Sequence, residues 1–184
     1  MTTAADRPGA RERLVGAFQS SDLSIDERTR GDADYLIALG LAGQSNPRVS
    51  GSLLRITIDG RQADYKAARK GTVELTKRLN AERNWRLSGP SCQAVGELAL
   101  AHHIFPVCPA CDGRKFQLVP GTPHLSATPC QPCGGTGERR IQRKHHNHIR
   151  DVIEMLSQID GSTVGTVKRL ANGASIGAIK GKRK

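Results

Sequence analysis

Four of the five cysteines form two pairs with two residues inside each pair. The pairs are Cys108–Cys111 and Cys130–Cys133, and 18 residues separate them. Two intervening residues let both thiolates bind one ion at about 2.3 Å, and two such pairs are typical of a structural zinc site. Four protein ligands complete a tetrahedral shell and leave no open position for a substrate. The spacing therefore predicts one structural Zn²⁺ and no catalytic metal.

Two disulfides or four free thiols are the alternatives to zinc. The first 16 residues, MTTAADRPGARERLVG, contain no apolar stretch typical of a signal peptide, so an oxidising compartment is not expected. Glycines also follow both pairs, where a turn around a metal needs positive φ or close backbone approach: Gly113, Gly134, Gly135 and Gly137. Zinc is therefore the favoured interpretation.

The remaining cysteine and the nearby histidines are not needed as ligands. Cys92 is predicted to be a small buried side chain in a helix. His102 and His103 come shortly before the first pair, but four thiolates already complete the ligand set, which favours a core or surface role. His145, His146 and His148 are predicted to belong to a basic surface that contacts phosphate.

The charge of the chain points to a polyanionic partner. Its 28 Lys and Arg residues exceed its 17 Asp and Glu residues, giving a formal net charge of +11. Residues 1–50 hold 6 basic and 7 acidic side chains, whereas residues 108–150 hold 7 and 2. A basic excess of this size favours nucleic-acid binding, although basic residues that only solubilise the surface are the alternative.

Two broad classes of protein are disfavoured by the sequence. No apolar run approaches the roughly 20 residues that cross a bilayer, so no membrane partner is expected. There are no paired carboxylates, no H-E-x-x-H motif and no Ser/His/Asp arrangement near the cysteines. The protein is therefore predicted not to be an enzyme.

The elements that must position the cysteines are mostly helical. The sequence predicts a mainly α fold with a small irregular or β zinc-binding module and a C-terminal hairpin resembling a helix-turn-helix. Helices are expected over 32–43, 61–84 and 91–105, and a strand over 53–60. The predicted organisation is a flexible N-terminal arm (1–30), a helical region (31–107), the four-cysteine zinc module (108–137), the helix-turn-helix-like helices (138–173) and a basic tail (174–184).

The C-terminal region supplies the predicted DNA contacts. A helix over 138–159 is expected to end at Asp160-Gly161, and a second helix over 162–173 to begin with Ser162 as its cap. In a helix-turn-helix the second helix enters the major groove, where small polar residues can read base edges and basic residues can bind phosphate or guanine. An ordinary helical hairpin is the equal alternative. The predicted base-reading residues are Ser162, Thr163 and Thr166, with Lys168 and Arg169 beside them, and the predicted phosphate contacts are Arg139, Arg140, Arg143 and Lys144.

The cysteine motifs carry a family resemblance. The second motif, CQPCGGTG, is a complete CxxCxGxG, and the first, CPACDGRK, has Lys115 in place of the last glycine. Paired motifs of this kind resemble the zinc-binding region of DnaJ-type chaperones, which carry four copies and a J-domain with an HPD tripeptide. A closer resemblance is to the late antiterminator Q family of lambdoid phages, and it covers roughly residues 91–171. It rests on the run ELALAHHIFPVCPACDGRKF, on a second CxxC turn (a zinc knuckle) and on a helix pair that follows it.

This second resemblance implies a function. It implies a factor that binds double-stranded DNA within a phage late promoter, joins bacterial RNA polymerase there and allows transcription to read through terminators. Such a protein would act in the cytoplasm of the bacterial host. A zinc-knuckle RNA-binding protein, or a DnaJ-like chaperone or interaction protein, is the alternative.

Overall fold

Helices account for most of the architecture. The computed structural model describes residues 9–21, 23, 32–45, 49–59, 62–141 and 143–171. The helices are α1 (Ala10–Gln19), α2 (Asp32–Ser45), α3 (Ser50–Asp59), α4 (Gln62–Glu82), α5 (Gly89–Ile104) and α6 (His146–Ala171), and an antiparallel hairpin is formed by β1 (Phe116–Leu118) and β2 (Leu125–Pro129). A mainly α fold with a small cysteine-bearing β module is thus confirmed.

The chain divides into two compact units. The first unit comprises residues 1–71 and 157–184, and the second comprises residues 72–156. The boundaries lie inside α4 and α6. The second unit therefore holds the four-cysteine segment together with parts of the predicted helical region and of the predicted helix-turn-helix. The predicted tail over 174–184 lies outside the described residues.

A small apolar core holds the first unit together. Leu14 of α1 and Leu54 of α3 are fully buried in it, and the other buried members are Ala38, Leu39, Ala42, Val167 and Ala171. At the start of α1, the backbone N–H of Gly9 donates to Glu12 Oε2 at 2.6 Å, which satisfies a helix-start donor. The prediction of a flexible arm over 1–30 is therefore wrong for residues 10–19, because α1 buries Leu14 and Ala17.

The predicted strand over 53–60 is also wrong. The structure places helix α3 there, with both Leu53 and Leu54 fully buried. The Thr57 hydroxyl donates to the carbonyl of Leu54, three residues earlier, as a helical side chain can. Adjacent leucines can both be buried in a helix that is covered on more than one side, whereas a half-exposed strand buries alternate residues. Tertiary packing here overrides the β preference of Ile56 and Thr57.

The predicted helix-turn-helix is replaced by one continuous helix. α6 runs through Asp160 and Gly161 without a break and begins at His146, eight residues after the predicted start. The buried side chains recur every three or four residues along its whole length: Ile149, Val152, Leu156, Ile159, Thr163, Val167 and Ala171. Asp160 forms an ion pair with Arg11, whose guanidinium nitrogen lies 3.2 Å from Asp160 Oδ2. The carboxylate therefore makes a tertiary contact and does not stabilise a turn.

Helix α5 leads directly into the cysteine segment. Ser88 caps it by accepting from the backbone N–H of Ser91, and Pro90 occupies its first turn. Gly96 lets α5 approach α4, since a Cβ at that position would lie 2.9 Å from Thr76 Oγ1 and 3.2 Å from Val73 Cα. The predicted helices over 32–43, 61–84 and 91–105 are confirmed within a few residues, as is the burial of Cys92.

The helices also bear on membrane insertion. Among the described residues, no helix combines the length and apolarity that crossing a bilayer requires.

Candidate metal centre

The four paired cysteines come together in one buried cluster. The sulfur atoms of Cys108, Cys111, Cys130 and Cys133 all lie within 4.8 Å of one another, and each residue is at most 4% exposed. The Sγ atoms of Cys111 and Cys133 are 3.8 Å apart. Thiolates about 2.3 Å from a tetrahedral ion are separated by about 3.8 Å, so this spacing fits a four-thiolate metal site. The predicted convergence of these residues is confirmed.

The two cysteine motifs support each other through matching backbone hydrogen bonds. Cys108 donates its backbone N–H to the carbonyl of Gly137 at 2.9 Å, and Cys130 donates its own to the carbonyl of Lys115 at 2.8 Å. Each motif's first cysteine is thus bonded to the last residue of the other motif. This reciprocal arrangement means that neither knuckle is held independently of its partner.

Left-handed backbone conformations occur at equivalent positions of the two motifs. After Cys111 they fall on Asp112 (φ 51°), Gly113 (77°) and Lys115 (70°); after Cys133 they fall on Gly134 (66°), Gly135 (82°) and Gly137 (81°). Lys115 therefore adopts the conformation that glycine adopts in the complete motif. A side chain in this region costs about 1 kcal/mol, so the first knuckle carries local strain.

This geometry predicts opposite effects for two substitutions. Lys115→Gly should raise the free energy of unfolding of the metal-bound protein by about 1 kcal/mol, because it removes the left-handed penalty. Gly137→Ala should lower it by about 2 kcal/mol, since its Cβ would lie 2.9 Å from the Gly113 carbonyl oxygen at a φ of 81°. Thermal unfolding at saturating zinc measures both. A shift of the same sign for the two variants would contradict the matched geometry.

The surroundings shift the pKa values of Cys130 and Cys133 in opposite directions. Burial acts to raise the pKa of Cys133, but hydrogen bonds to its sulfur, led by the backbone N–H of Gly137 at 3.3 Å, lower it to about 6. For Cys130 the backbone hydrogen bond with Cys133 acts to lower the pKa, but burial and the other three thiols together raise it to about 12. The thiolate form is therefore favoured at Cys133 and the protonated thiol at Cys130, and a bound dication would displace the proton of Cys130.

The segment after the second knuckle is fastened to the end of α5. Arg139 donates its backbone N–H to the carbonyl of Pro106 at 2.7 Å and its Nε–H to the carbonyl of Phe105 at 3.1 Å. Its own carbonyl lies 3.0 Å from His102 Nε2. His102 therefore contacts the backbone that follows the second cysteine pair, and the cluster itself consists of the four cysteines.

A basic cleft opens beside the second knuckle. It has a volume of about 670 Å³, and its lining includes Gly134, Thr136, Arg139, Arg140, Arg143 and His146. Glu138 adds a carboxylate to the same lining. The structure thus brings three of the four predicted phosphate contacts together, and it places the exposed Lys144 next to them in the chain. His146, predicted to belong to a basic surface, also lines the cleft, whereas Gly134 and Thr136 were not predicted as lining residues, since nothing in their spacing marks the cleft.

The other predicted DNA contacts are not brought to this cleft. Thr163 is 3% exposed and donates its hydroxyl to the carbonyl of Ile159 at 2.7 Å, so its assignment as a base-reading residue is wrong. The hydroxyls of Ser162 and Thr166 also donate to carbonyls of the same helix. Without a second helix that starts at Ser162, these residues lose the position from which they were predicted to read bases. The exposed Lys168 and Arg169 belong to the first compact unit, whereas the cleft belongs to the second.

Comparisons of the chain with protein-family models, with curated proteins and with solved structures found no match. The function is therefore inferred from the residues and geometry of the chain itself.

Proposed function

We propose that this protein is a zinc-stabilised DNA-binding factor that acts in transcription antitermination. The observation that carries the DNA-binding part is the basic cleft beside the buried four-cysteine cluster. Its arginines Arg139, Arg140 and Arg143 offer planar guanidinium groups, which bind phosphate oxygens through two parallel hydrogen bonds.

Zinc is the ion that this cluster is proposed to hold. Four buried cysteines whose sulfur atoms lie within 4.8 Å of one another suit zinc or iron–sulfur chemistry, and a mononuclear site built from two CxxC motifs is typical of structural zinc. The ligands would be Cys108, Cys111, Cys130 and Cys133. The ion would supply a rigid cross-link between the knuckles and no chemistry on a substrate.

The protein's own residues would then present the cleft to DNA. The cross-linked second knuckle would hold Gly134 and Thr136 in place. The hydrogen bonds of the Arg139 backbone would fix the position from which the chain continues to Arg140 and Arg143. Arg140 and Arg143 are exposed at the rim and would bind successive phosphates of one strand. Lys144, and Lys168 and Arg169 at the end of α6, are proposed as further phosphate contacts. Contacts of this kind determine position on the duplex and affinity, and they carry no sequence information directly.

The transcriptional part of the proposal is supported by the sequence resemblance over residues 91–171. In that role the protein would bind near a phage late promoter, join bacterial RNA polymerase and allow read-through of terminators in the bacterial cytoplasm. A second candidate is an RNA-binding or DnaJ-like chaperone or interaction protein. The apolar side chains exposed between the two cysteine pairs favour some form of protein contact.

Removal of two cleft arginines tests the DNA-binding part. Arg140→Ala/Arg143→Ala should weaken binding to duplex DNA of any sequence by about tenfold at 0.1–0.2 M salt, because two phosphate contacts are lost. The matched control is Arg13→Ala/Lys66→Ala, which removes two exposed positive charges from the first unit. Fluorescence anisotropy with a labelled duplex measures both, and the control should stay within about twofold of the unmodified protein. Equal losses in the two variants would show that only net charge matters.

Transcription past a terminator tests the regulatory part. Purified protein should increase read-through by bacterial RNA polymerase on a template with a phage late promoter, and the increase should require promoter-proximal DNA. Unchanged read-through would refute antitermination even if duplex binding were strong. Tighter binding to structured RNA than to duplex DNA would favour the second candidate instead.

A further inference from the structure

The hairpin between the two cysteine pairs has an uncovered apolar face. Phe116, Leu118, Val119 and Leu125 expose between 38% and 48% of their surface. Leu118 pairs with Leu125 across the strands and Phe116 pairs with Pro129, so Phe116, Leu118 and Leu125 share one face of the hairpin, and Val119 follows Leu118 at the end of β1. Among the described residues, six of the eight strongly exposed large apolar side chains lie between Phe105 and Leu125. Single exposed apolar residues are common on protein surfaces, but such a concentration marks an interaction site.

The hairpin has no part in holding the metal and has no charge. Residues 116–129 supply none of the clustered sulfur atoms, and they contain no Asp, Glu, Lys or Arg in a chain that is 24% charged. Exposed strands are usually protected from unwanted pairing by lysines and other charged side chains. A hairpin without this protection is suited to being covered by another molecule.

The hairpin's shape is maintained by its own hydrogen bonds. The partners Phe116 and Leu118 are two positions apart in β1, whereas Pro129 and Leu125 are four positions apart in β2. The extra residues make β2 irregular between these two pairs. Ser126 accounts for it, because its hydroxyl donates to the carbonyl of Thr128 and accepts from the N–H of Thr128, both at 3.2 Å. The apolar face is therefore preformed and needs little ordering on binding.

Charge and area indicate what covers this face. DNA is disfavoured as the occupant of the face itself, because its exposed side chains Phe116, Leu118 and Leu125 are apolar and cannot bind phosphate. A second copy is disfavoured because the apolar face amounts to a few hundred Å², against about 800 Å² per partner in a stable interface, and each copy carries a net charge of +11. Arg114 and Lys115 stand at the start of β1, and an acidic partner would complement them.

We propose that the hairpin over residues 116–129 docks onto a protein surface that combines an apolar strip with neighbouring acidic residues. Resting on the function proposed above, this partner is RNA polymerase. The cleft would then bind DNA while the hairpin, which lies between the two cysteine pairs in the chain, binds the enzyme. The small area suits a transient contact whose affinity depends on a few apolar side chains.

Substitution of the hairpin's paired leucines tests this proposal. Leu118→Gln/Leu125→Gln should weaken binding to purified bacterial RNA polymerase at least tenfold in biolayer interferometry. The matched control, Leu23→Gln/Ile37→Gln, replaces two exposed apolar residues of the first unit and should bind as the unmodified protein does. Zinc content and affinity for duplex DNA should be unchanged in both variants, which shows that the fold and the cleft are intact.

Different experimental outcomes distinguish the docking proposal from its alternatives. Equal polymerase binding by the hairpin variant and the unmodified protein would overturn the docking surface and leave the proposed function standing. No polymerase binding by the unmodified protein would overturn the polymerase role, and the docking proposal with it. A loss of DNA affinity in the hairpin variant would instead make the hairpin part of the DNA interface. Loss of a concentration-dependent dimer, or of binding to anionic phosphatidylserine vesicles, would identify a second copy or a lipid surface as the occupant.

Discussion

Removal of the metal should unfold the segment from Val107 to Glu138 while leaving the helical core of the first unit folded. The binding energy of structural zinc in small four-ligand sites is about 10–16 kcal/mol, which exceeds the roughly 5–15 kcal/mol that stabilises a typical domain. The hairpin within this segment exposes its apolar residues. The buried cluster in the segment therefore consists of the four cysteines, and little other core stabilises it. The first unit keeps an independent apolar cluster around Leu14 and Leu54.

Hydrogen exchange measures this loss segment by segment. After chelation, or in Cys130→Ser, the amides of Cys108 and Cys130 should lose protection, because their hydrogen bonds to the opposite knuckle depend on the cross-link. The amides of α1 and α3 should change little. The matched control is Cys92→Ala, which removes the buried cysteine outside the cluster and should keep one zinc per chain. Unchanged protection at Cys108 and Cys130 without metal would contradict a structural site.

A proline at the middle of α6 should be strongly destabilising. Gly161→Pro removes one helical hydrogen bond and places its ring against the preceding turn, at a cost of about 3 kcal/mol or more. The break would fall between Ile159 and Thr163, both buried in the same stripe of the helix. Urea unfolding measures the change in the free energy of unfolding.

Alanine at the same position separates a helix from a turn. No atom outside its own helix lies within 4 Å of a Cβ built on Gly161, so Gly161→Ala should raise the free energy of unfolding by about 1 kcal/mol. A helix-turn-helix with its turn at this glycine predicts the reverse, since alanine disfavours a left-handed turn residue and proline is tolerated in loops. Stabilisation by proline and destabilisation by alanine would therefore contradict the continuous helix.

The four-cysteine cluster could be predicted from the sequence because the spacing within each cysteine pair is a local signal. Two residues between cysteines fix how a knuckle can wrap one ion, and the spacing of both pairs is visible without knowledge of the fold. The conformation of Lys115 was not visible in this way. Its left-handed φ is imposed by the opposite knuckle, where Cys130 donates to its carbonyl, and this is a long-range constraint.

The errors occurred where tertiary contacts outweighed local signals. Asp160-Gly161 has the composition of a turn, but Arg11 lies 149 positions earlier in the chain and pairs with Asp160 in the folded protein. The apolar stripe of α6 does continue past Gly161, and counting its period through the glycine would have predicted one helix. At α3 the alternation of Leu54, Ile56 and Ile58 resembles a strand, but burial of adjacent Leu53 and Leu54 selects a helix.

The salt dependence of duplex affinity tests most directly the claim that a metal-organised basic cleft binds DNA. For the zinc-loaded protein, the logarithm of the association constant should fall linearly with the logarithm of salt concentration. Each phosphate contact contributes about 0.9 to the slope, so Arg140→Ala/Arg143→Ala should reduce its magnitude by about 1.8 and Arg13→Ala/Lys66→Ala by little. An identical slope in the unmodified protein and the cleft variant would contradict the claim.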